Sequence, residues 1–287
     1  MSTTGRPSFV RQEPPDIAAL RQLKRAQPDL GVAVDLQIDI LTHQRRTQSR
    51  LTTPWIDRAP DALAASLARG EPVLRFDEVA FDWTEVRVLF RQLVDVLQRH
   101  DMIDAAEHAA VQELVRASHP ATAEARAWFE SRSRRLAAGA AYVPPHGDTF
   151  DQVLALSAQP FVERASESLR SKIDLSALAR PYCPICGADP EMASLPPDGS
   201  RRLHCGGCAA AWAFDADRCP HCDSIDRRQL VSYAGADARY RILACNACRR
   251  YLKAVDVRRA ERPLMLAVDT IATLPLDAAA ARQGYSG

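Results

Sequence analysis

All eight cysteines of this 287-residue chain lie within residues 181–254, and they form four Cys-x-x-Cys pairs. A Cys-x-x-Cys turn, or knuckle, presents two thiolates to one cation at about 2.3 Å, so two knuckles complete a tetrahedral four-sulfur site. Four knuckles therefore predict two sites, each holding one metal ion. The predicted ligands are Cys183, Cys186, Cys205, Cys208, Cys219, Cys222, Cys245 and Cys248.

The intervals between the knuckles favour one pairing. Eighteen residues separate the first knuckle from the second and 22 separate the third from the fourth, but only 10 separate the second from the third. The longer intervals suit a zinc ribbon, in which two knuckles and a hairpin close on one ion. We therefore expect the first knuckle to pair with the second and the third with the fourth, and an interleaved pairing is the alternative.

Disulfides and a catalytic dithiol are the competing interpretations of these cysteines. Disulfides need an oxidising compartment, whereas residues 1–7 lack the apolar run of a signal peptide, so we expect reduced cysteines in a cytoplasmic protein. Four similar pairs fit metal ligation better than one redox-active pair. All-thiolate coordination suits either zinc or iron, and the ligand type does not distinguish the two metals.

Composition limits the range of partners. The net charge is +1, and no apolar run approaches the length of about 20 residues that spans a bilayer. Residues 180–262 hold 14 Lys and Arg against 10 Asp and Glu, which is a mild excess for a nucleic-acid surface. We expect a protein without a membrane span, for which nucleic acid is a less favoured partner.

The first 175 residues predict helices. Asp82 and Glu85 resemble a capping box, and the apolar residues that follow recur with helical spacing as far as Leu97. Residues 29–48 fit both a strand and a helix, and we choose a helix because their neighbours are helical. The other predicted helices begin near Asp16, as an N-cap, and near Asp61, Asp104, Pro120 and Phe150, the last running toward Arg170 with a possible bend at Pro160.

The cysteine-bearing part predicts short strands, at residues 201–204, 229–233, 241–244 and 251–255. The fold class is thus α+β and multidomain, with an all-helical N-terminal domain followed by two rubredoxin-like or zinc-ribbon modules. The expected divisions are a disordered lead-in at 1–15, a helical domain at 16–175, modules at 180–215 and 216–262, and a tail at 263–287. Leu264 to Val268 is a brief apolar run, and Leu276 to Arg282 is expected to form a terminal helix.

At the knuckles the sequence resembles the formate dehydrogenase accessory proteins, the FdhE family. The resemblance lies in residues 182–187, 203–208, 218–222 and 245–248, and in the tail from Val268 to Tyr285. It implies a helical domain with two rubredoxin-like modules, a metal that is iron or zinc, and binding to the catalytic subunit of a molybdenum formate dehydrogenase during assembly. Two departures stand out, because the family often has Gly where this chain has Arg249, and an acidic pair where it has Asp269 and Thr270.

Histidines and aromatic residues near the knuckles can be interpreted either as structural residues or as functional ones. His204 and His221 flank cysteines, but eight thiolates already fill two sites, and His43, His100, His108 and His119 are scattered. His146 lies in a Pro-Pro-His-Gly loop, where function is more common. Trp212 and Tyr251 follow knuckles closely, so we expect them to cover thiolates from water.

Three functions remain open from the sequence. The favoured one is a non-catalytic assembly factor, because we find no glycine-rich phosphate loop, nucleophile elbow or His-Glu-x-x-His motif. A nucleic-acid-binding zinc ribbon and a rubredoxin-type electron carrier are the alternatives.

Overall fold

In a computed structural model, residues 13–117, 121–138, 144, 146–236 and 238–287 of the chain are described. A helical body comes first, a β-sheet carries the cysteines, and two short helices end the chain. The predicted lead-in falls mostly outside the described residues, and His119 falls wholly outside them. The helices are α1 Pro15–Ala26, α2 Gly31–Gln48, α3 Pro60–Ala68, α4 Trp83–Arg99, α5 Ala105–Ala117, α6 Ala121–Ala138, α7 Asp148–Arg170, α8 Leu266–Ala272 and α9 Leu274–Arg282.

The ambiguous segment at 29–48 is helical, as predicted. A short 3-10 turn at Pro28–Leu30 leads into α2, and Val34 and Ile40 on its inner side are buried. The helix is favoured because a stripe with a spacing of three to four residues can face α4 and α7 together, whereas none of the described strands packs comparably against this segment.

Helix starts are partly as predicted. The Asp82 carboxylate accepts from the main-chain N–H groups of Thr84 and Glu85, and the Asp104 carboxylate accepts from that of Glu107 at 2.8 Å. The N-cap prediction at Asp16 is wrong, because α1 begins one residue earlier, at Pro15. The Asp16 carboxylate pairs instead with Arg45 on α2.

The long helix α7 runs through Pro160 without interruption. Proline has no N–H to donate to the carbonyl four residues earlier, which is that of Leu156. The side chain of Gln44 on α2 donates to this carbonyl at 2.8 Å, so the missing helix bond is replaced from the neighbouring helix. Gln44 is itself buried, and the contact ties α2 to α7.

The described strands form one six-stranded sheet in the order β3-β2-β1-β6-β5-β4. All four predicted strands are present within one residue of their predicted bounds, and β1 and β3 are additional. The strands are β1 Met192–Leu195, β2 Arg201–His204, β3 Ala211–Phe214, β4 Leu230–Ala234, β5 Tyr240–Cys245 and β6 Arg250–Asp256.

Each ribbon contributes three antiparallel strands, and a parallel pairing joins the two ribbons. Strands β1 to β3 belong to the first ribbon and β4 to β6 to the second. Between them, β1 pairs with β6 in parallel, with Ala193 opposite Ala254. The two ribbons therefore share one hydrogen-bonded sheet.

The helical body and the first ribbon share one hydrophobic core. Leu93 and Leu154 of the helices belong to the same buried cluster as Trp212 and the cysteines of the first ribbon. Residues 73 and 74 also pair with the ribbon, since the Val73 N–H donates to the Pro184 carbonyl at 3.0 Å. The first ribbon is thus packed and hydrogen-bonded against the helices.

The C-terminal residues fold back on the body. The apolar run at 264–268 contains the start of α8, which packs against α1, and α9 begins two residues before its predicted start. Asp269 is fully buried and accepts hydrogen bonds from Arg262, from the Tyr240 hydroxyl at 2.6 Å and from the Met265 N–H. Among the described helices, none combines the length and apolar character needed to cross a membrane.

Candidate metal centres

The four knuckles share one backbone turn. In each, the N–H of the residue after the second cysteine donates to the carbonyl of the first cysteine, at 2.9 to 3.1 Å. That residue has a positive φ in every case, between 55° and 78°. The four residues are Gly187, Ala209, Asp223 and Arg249. Only Gly187 carries the usual sequence signal for this conformation, so the repeat is clearer in the structure than in the sequence.

The first group joins the first and second knuckles, as the spacing predicts. The Sγ atoms of Cys183 and Cys208 lie 3.4 Å apart, and those of Cys186 and Cys205 lie 3.5 Å apart. A tetrahedron with 2.3 Å metal–sulfur bonds has edges of about 3.8 Å. All four sulfurs lie within 4.8 Å of one another, so the donors fit one tetrahedral ion.

The helical body holds the first group from two sides. The Leu74 N–H donates to the Ile185 carbonyl of the first knuckle at 2.8 Å. On the other side, Gln159 and Arg170 of α7 donate to the carbonyls of Gly206 and Ala209 in the second knuckle, both at 2.9 Å. All four cysteines are 0% exposed. The surrounding residues therefore shield the sulfur atoms of this group from water.

The second group joins the third and fourth knuckles. Its Sγ–Sγ distances are 3.8 Å for Cys219 and Cys248, and 3.7 Å for Cys222 and Cys245, which again match a tetrahedral edge. This group is more open, because Cys222 is exposed and Cys248 is partly exposed. The sequence gives no sign of this difference, since the ligand spacing is alike in both halves.

Burial governs the thiol chemistry of both groups. It raises the pKa of the thiols of Cys183 and Cys208, and it raises the pKa of Cys219 to about 12. Hydrogen bonds from the neighbouring thiols lower the pKa of Cys186. Several thiolates at such short separation need a cation to stabilise them. Binding of an ion would therefore deprotonate the thiols and release protons.

The histidines near the knuckles have partners of their own. The His204 ring nitrogen lies 2.8 Å from the Ser194 hydroxyl, and the His221 ring nitrogen lies 3.2 Å from the Tyr251 carbonyl. Burial lowers the pKa of each imidazole to about 4. Neither histidine belongs to a four-cysteine group.

The remaining described histidines do not converge on one site. Three lie beside carboxylates of helices, and one lies beside an amide. The pairs are His100 with Asp39, His108 with Asp95, His146 with Glu124, and His43 with Gln92. The loop residue His146 is exposed and belongs to neither four-cysteine group.

Two aromatic residues beside the knuckles differ in burial. Trp212 is fully buried in the core that contains the first group, and its indole N–H donates to the Arg180 carbonyl at 2.7 Å. Tyr251 is half-buried, and its hydroxyl donates to Asp277 of α9 at 2.7 Å. Trp212 therefore lies in the buried core around the first group, whereas Tyr251 anchors the C-terminal helix.

Both departures from the expected family pattern make internal contacts. The Arg249 guanidinium lies 4.1 Å from the centre of the Tyr285 ring and donates to the carbonyls of Gln283 and Gly284. The side chain thus binds the tail to the fourth knuckle while its backbone keeps the left-handed turn. Asp269 is occupied by Arg262 and Tyr240 inside the protein.

Arg132, a neighbour of the first group, was not predicted from the sequence. Arg132 of α6 stacks on Trp128 at 4.0 Å and approaches Gly207 so closely that a Cβ atom there would lie 2.8 Å from its guanidinium. Glycine at position 207 therefore leaves space for the Arg132 guanidinium beside the second knuckle. In the sequence, the Gly206-Gly207 pair is the feature that could have indicated a close approach of another side chain at this knuckle.

Comparisons with known proteins agree with this arrangement. No model of a known protein family matches the chain. An FdhE homologue of Aquifex aeolicus is 22% identical over 268 residues, covering 92% of this chain and 88% of that protein. An FdhE homologue of Shewanella oneidensis is 34% identical over 107 residues, and Escherichia coli FdhE is 29% identical over 110 residues; each match spans 35% of that relative.

A solved structure extends the likeness to the fold. The crystal structure of the FdhE protein from Pseudomonas aeruginosa aligns with a TM-score of 0.66 at 21% identity, covering 94% of this chain and 91% of that one. The helical body and the cysteine-bearing sheet thus recur together in one architecture. The chain is thus similar to FdhE proteins over nearly its whole length, in sequence to one relative and in fold to one solved structure.

Proposed function

We propose that this protein is a non-catalytic accessory protein for formate dehydrogenase, and that it binds the catalytic subunit of that enzyme during assembly. The observation that carries the proposal is the likeness to FdhE proteins over nearly the whole chain, with four knuckles in the C-terminal sheet. The knuckle and tail residues resemble the formate dehydrogenase accessory proteins. We place this activity in the cytoplasm, where thiols stay reduced.

The eight cysteines are proposed to bind two metal ions, which are iron or zinc. Support comes from the Sγ–Sγ distances of 3.4 to 3.8 Å and from the repeated knuckle turn. Either metal would cross-link two knuckles, and iron would add a one-electron couple. The helical body, the two ribbons and the tail are proposed as the functional units, with the divisions given above.

A non-enzymatic role is supported by the contacts that the described histidines make. The described histidines lie beside carboxylates, amides, a hydroxyl or a carbonyl at separate places, and the sequence has no nucleophile motif. A general base needs a proton donor, such as a nucleophile's hydroxyl or thiol, within about 3 Å. Among the described residues, the hydroxyl–imidazole pair at this distance is Ser194 with His204, and the buried Ser194 hydroxyl there links the neighbouring strands β1 and β2.

An electron-carrier role is the second candidate, and the openness of the second group favours it. Cys222 is exposed, so an ion held there would lie at the protein surface. A nucleic-acid role is less favoured, because Arg227, Arg228 and Arg258 are each engaged by a carboxylate of the same chain. Such pairing leaves fewer cations free to contact phosphates.

The test is a deletion strain complemented with variants. Deletion should abolish formate dehydrogenase activity while the catalytic subunit is still synthesised, and wild-type protein should restore activity and co-purify with the subunit. A variant with serine at Cys205, Cys208, Cys245 and Cys248 should do neither, whereas the matched surface variant Arg228→Ala should behave as wild type. Full enzyme activity in the deletion strain would refute the proposal.

The purified protein separates the alternatives. An accessory protein turns over neither formate nor a nucleotide, and it retains its partner in moderate salt. Reversible one-electron bleaching of an iron-loaded sample, without binding to the subunit, would favour the electron carrier instead.

A further inference from the structure

A cavity of about 250 Å³ lies between the two ribbons, beside the second four-cysteine group. Its polar lining is rich in arginine, with Asp217 as the carboxylate among the lining residues. The arginines come from both ribbons and from the linker between them. They are Arg201, Arg218, Arg227 and Arg250.

Arg201 is the unusual member of this set. Its side chain begins on β2 of the first ribbon and is 5% exposed. The guanidinium donates to the main-chain carbonyls of Asp215 and Arg218, and it stacks on Phe214 at 4.9 Å. Among the described residues no carboxylate forms an ion pair with it, and its Nε atom is buried without a hydrogen bond.

The other three arginines are paired with carboxylates. Arg218 pairs with Asp223 and Arg227 pairs with Asp217, while Arg250 lies 3.7 Å from Asp189. Arg201 is therefore the lining arginine without a close carboxylate ion pair in the described part of the chain, although Asp215 and Asp217 act on its charge from farther away. A buried guanidinium without a directly bound anion is costly, so the site favours an anionic ligand.

We propose that this cavity binds a phosphoryl group, either as free phosphate or as part of a small phosphomonoester, with Arg201 at its base. A phosphoryl group presents three or more acceptor oxygens, so it can serve several guanidinium groups at once, whereas a carboxylate presents two. The apolar side chains of Leu230, Val231 and Leu243 form another part of the lining. This wall gives an organic substituent a place to pack.

The cysteines offer a rival source of negative charge. Cys219 and Cys245 also line the cavity, and four thiolates around a divalent ion carry net negative charge. If that charge alone compensates Arg201, the cavity has no ligand of its own. The inference does not depend on the proposed role in formate dehydrogenase assembly.

The experiment compares two neighbouring arginines in the full-length, zinc-loaded protein. Arg227 lines the cavity and Arg228 does not, yet each side chain is mostly exposed and each pairs with an aspartate. Calorimetric titrations use inorganic phosphate and adenosine monophosphate at constant ionic strength, with chloride as the control anion. Saturable one-to-one binding of phosphate is expected for the wild type.

The Arg227→Ala variant should bind phosphate about tenfold more weakly, the size expected for one charge-assisted hydrogen bond. The Arg228→Ala variant should differ from the wild type by less than about twofold. Tighter binding of the nucleotide than of phosphate would assign the site to a phosphomonoester, and equal binding would assign it to free phosphate.

Three results would overturn the proposal. They are no saturable binding of either probe, equal weakening in both variants, and chloride competing as well as phosphate. The variant Arg201→Gln tests the rival explanation: if it changes retention of the ion in the second group while the wild type binds no phosphate, the arginine serves the thiolates alone.

Discussion

The two four-cysteine groups should release their ions at very different rates. In the first group all four cysteines are 0% exposed, and the neighbouring side chains of Ile185 and Leu203 are 0% exposed as well. In the second group Cys222 is exposed and Cys248 partly so. A chelator can therefore approach the second ion directly, whereas the first ion leaves only after the ribbon separates from the helices.

The size of the difference follows from the apolar surface that must open. Exposing a buried Ile or Leu side chain costs about 1.5–3 kcal/mol, so exposing Ile185 and Leu203 costs about 3–6 kcal/mol. Each 1.4 kcal/mol changes an equilibrium tenfold. If the two groups bind their ions equally well, the second ion should leave at least about a hundredfold faster.

The assay is release of zinc into excess chromogenic chelator, with native mass spectrometry to detect the one-ion species. Pulsed alkylation then shows whether Cys222 or Cys183 becomes reactive first. As a control, Ile185→Ala should accelerate the slow phase more than tenfold, because truncating a buried aliphatic residue costs about 2–5 kcal/mol, and it should leave the fast phase unchanged. Release of both ions in a single phase, or earlier alkylation of Cys183, would refute this reasoning.

Three further changes test other parts of the structure. Cys183→Ala should lower amide-exchange protection across the first ribbon and spare the segment around Cys222, and loss of protection at Cys222 would indicate interleaved pairing instead. Arg249→Gly should relieve about 1 kcal/mol of left-handed backbone strain but speed amide exchange in residues 283–286, since it removes the contacts to the tail; unchanged tail exchange would contradict those contacts. Desolvation raises the pKa of Glu163 above its ordinary 4.5, so the wild type should lose stability relative to Glu163→Gln as pH rises through that raised pKa; a melting-temperature difference that stays constant from pH 4 to 8 would contradict it.

Local features of the site could be predicted from the sequence because they are set by spacing. Two cysteines with two residues between them share a turn, and an interval of 18 or 22 residues has room for a hairpin, so the sequential pairing of the knuckles could be predicted. The helical body was predictable for the same kind of reason, since α4 repeats apolar residues on one face. The position of Pro160 within the last helix of the body was also predictable. The residue that replaces its missing helix bond, Gln44, lies more than a hundred residues away in the sequence.

Features that depend on distant neighbours could not be predicted. Strand β1 has the sequence Met-Ala-Ser-Leu, which lacks β-branched residues, and it is a strand because β2 and β6 pair with it on both sides. The unequal exposure of the two four-cysteine groups arises from contacts such as that between Val73 and Pro184. Likewise, nothing around Arg201 in the sequence signals that its guanidinium is buried.

The parallel pairing of β1 with β6 sets an order of events during synthesis. A ribosome releases β1 roughly sixty residues before the end of β6, so the hydrogen-bonding edge of β1 that faces β6 has no partner during that interval. The first ribbon can close on its ion while this edge is open, but the sheet is complete only after the fourth knuckle has left the ribosome. Chains interrupted between the third and fourth knuckles would therefore expose a sheet edge that favours pairing with other chains.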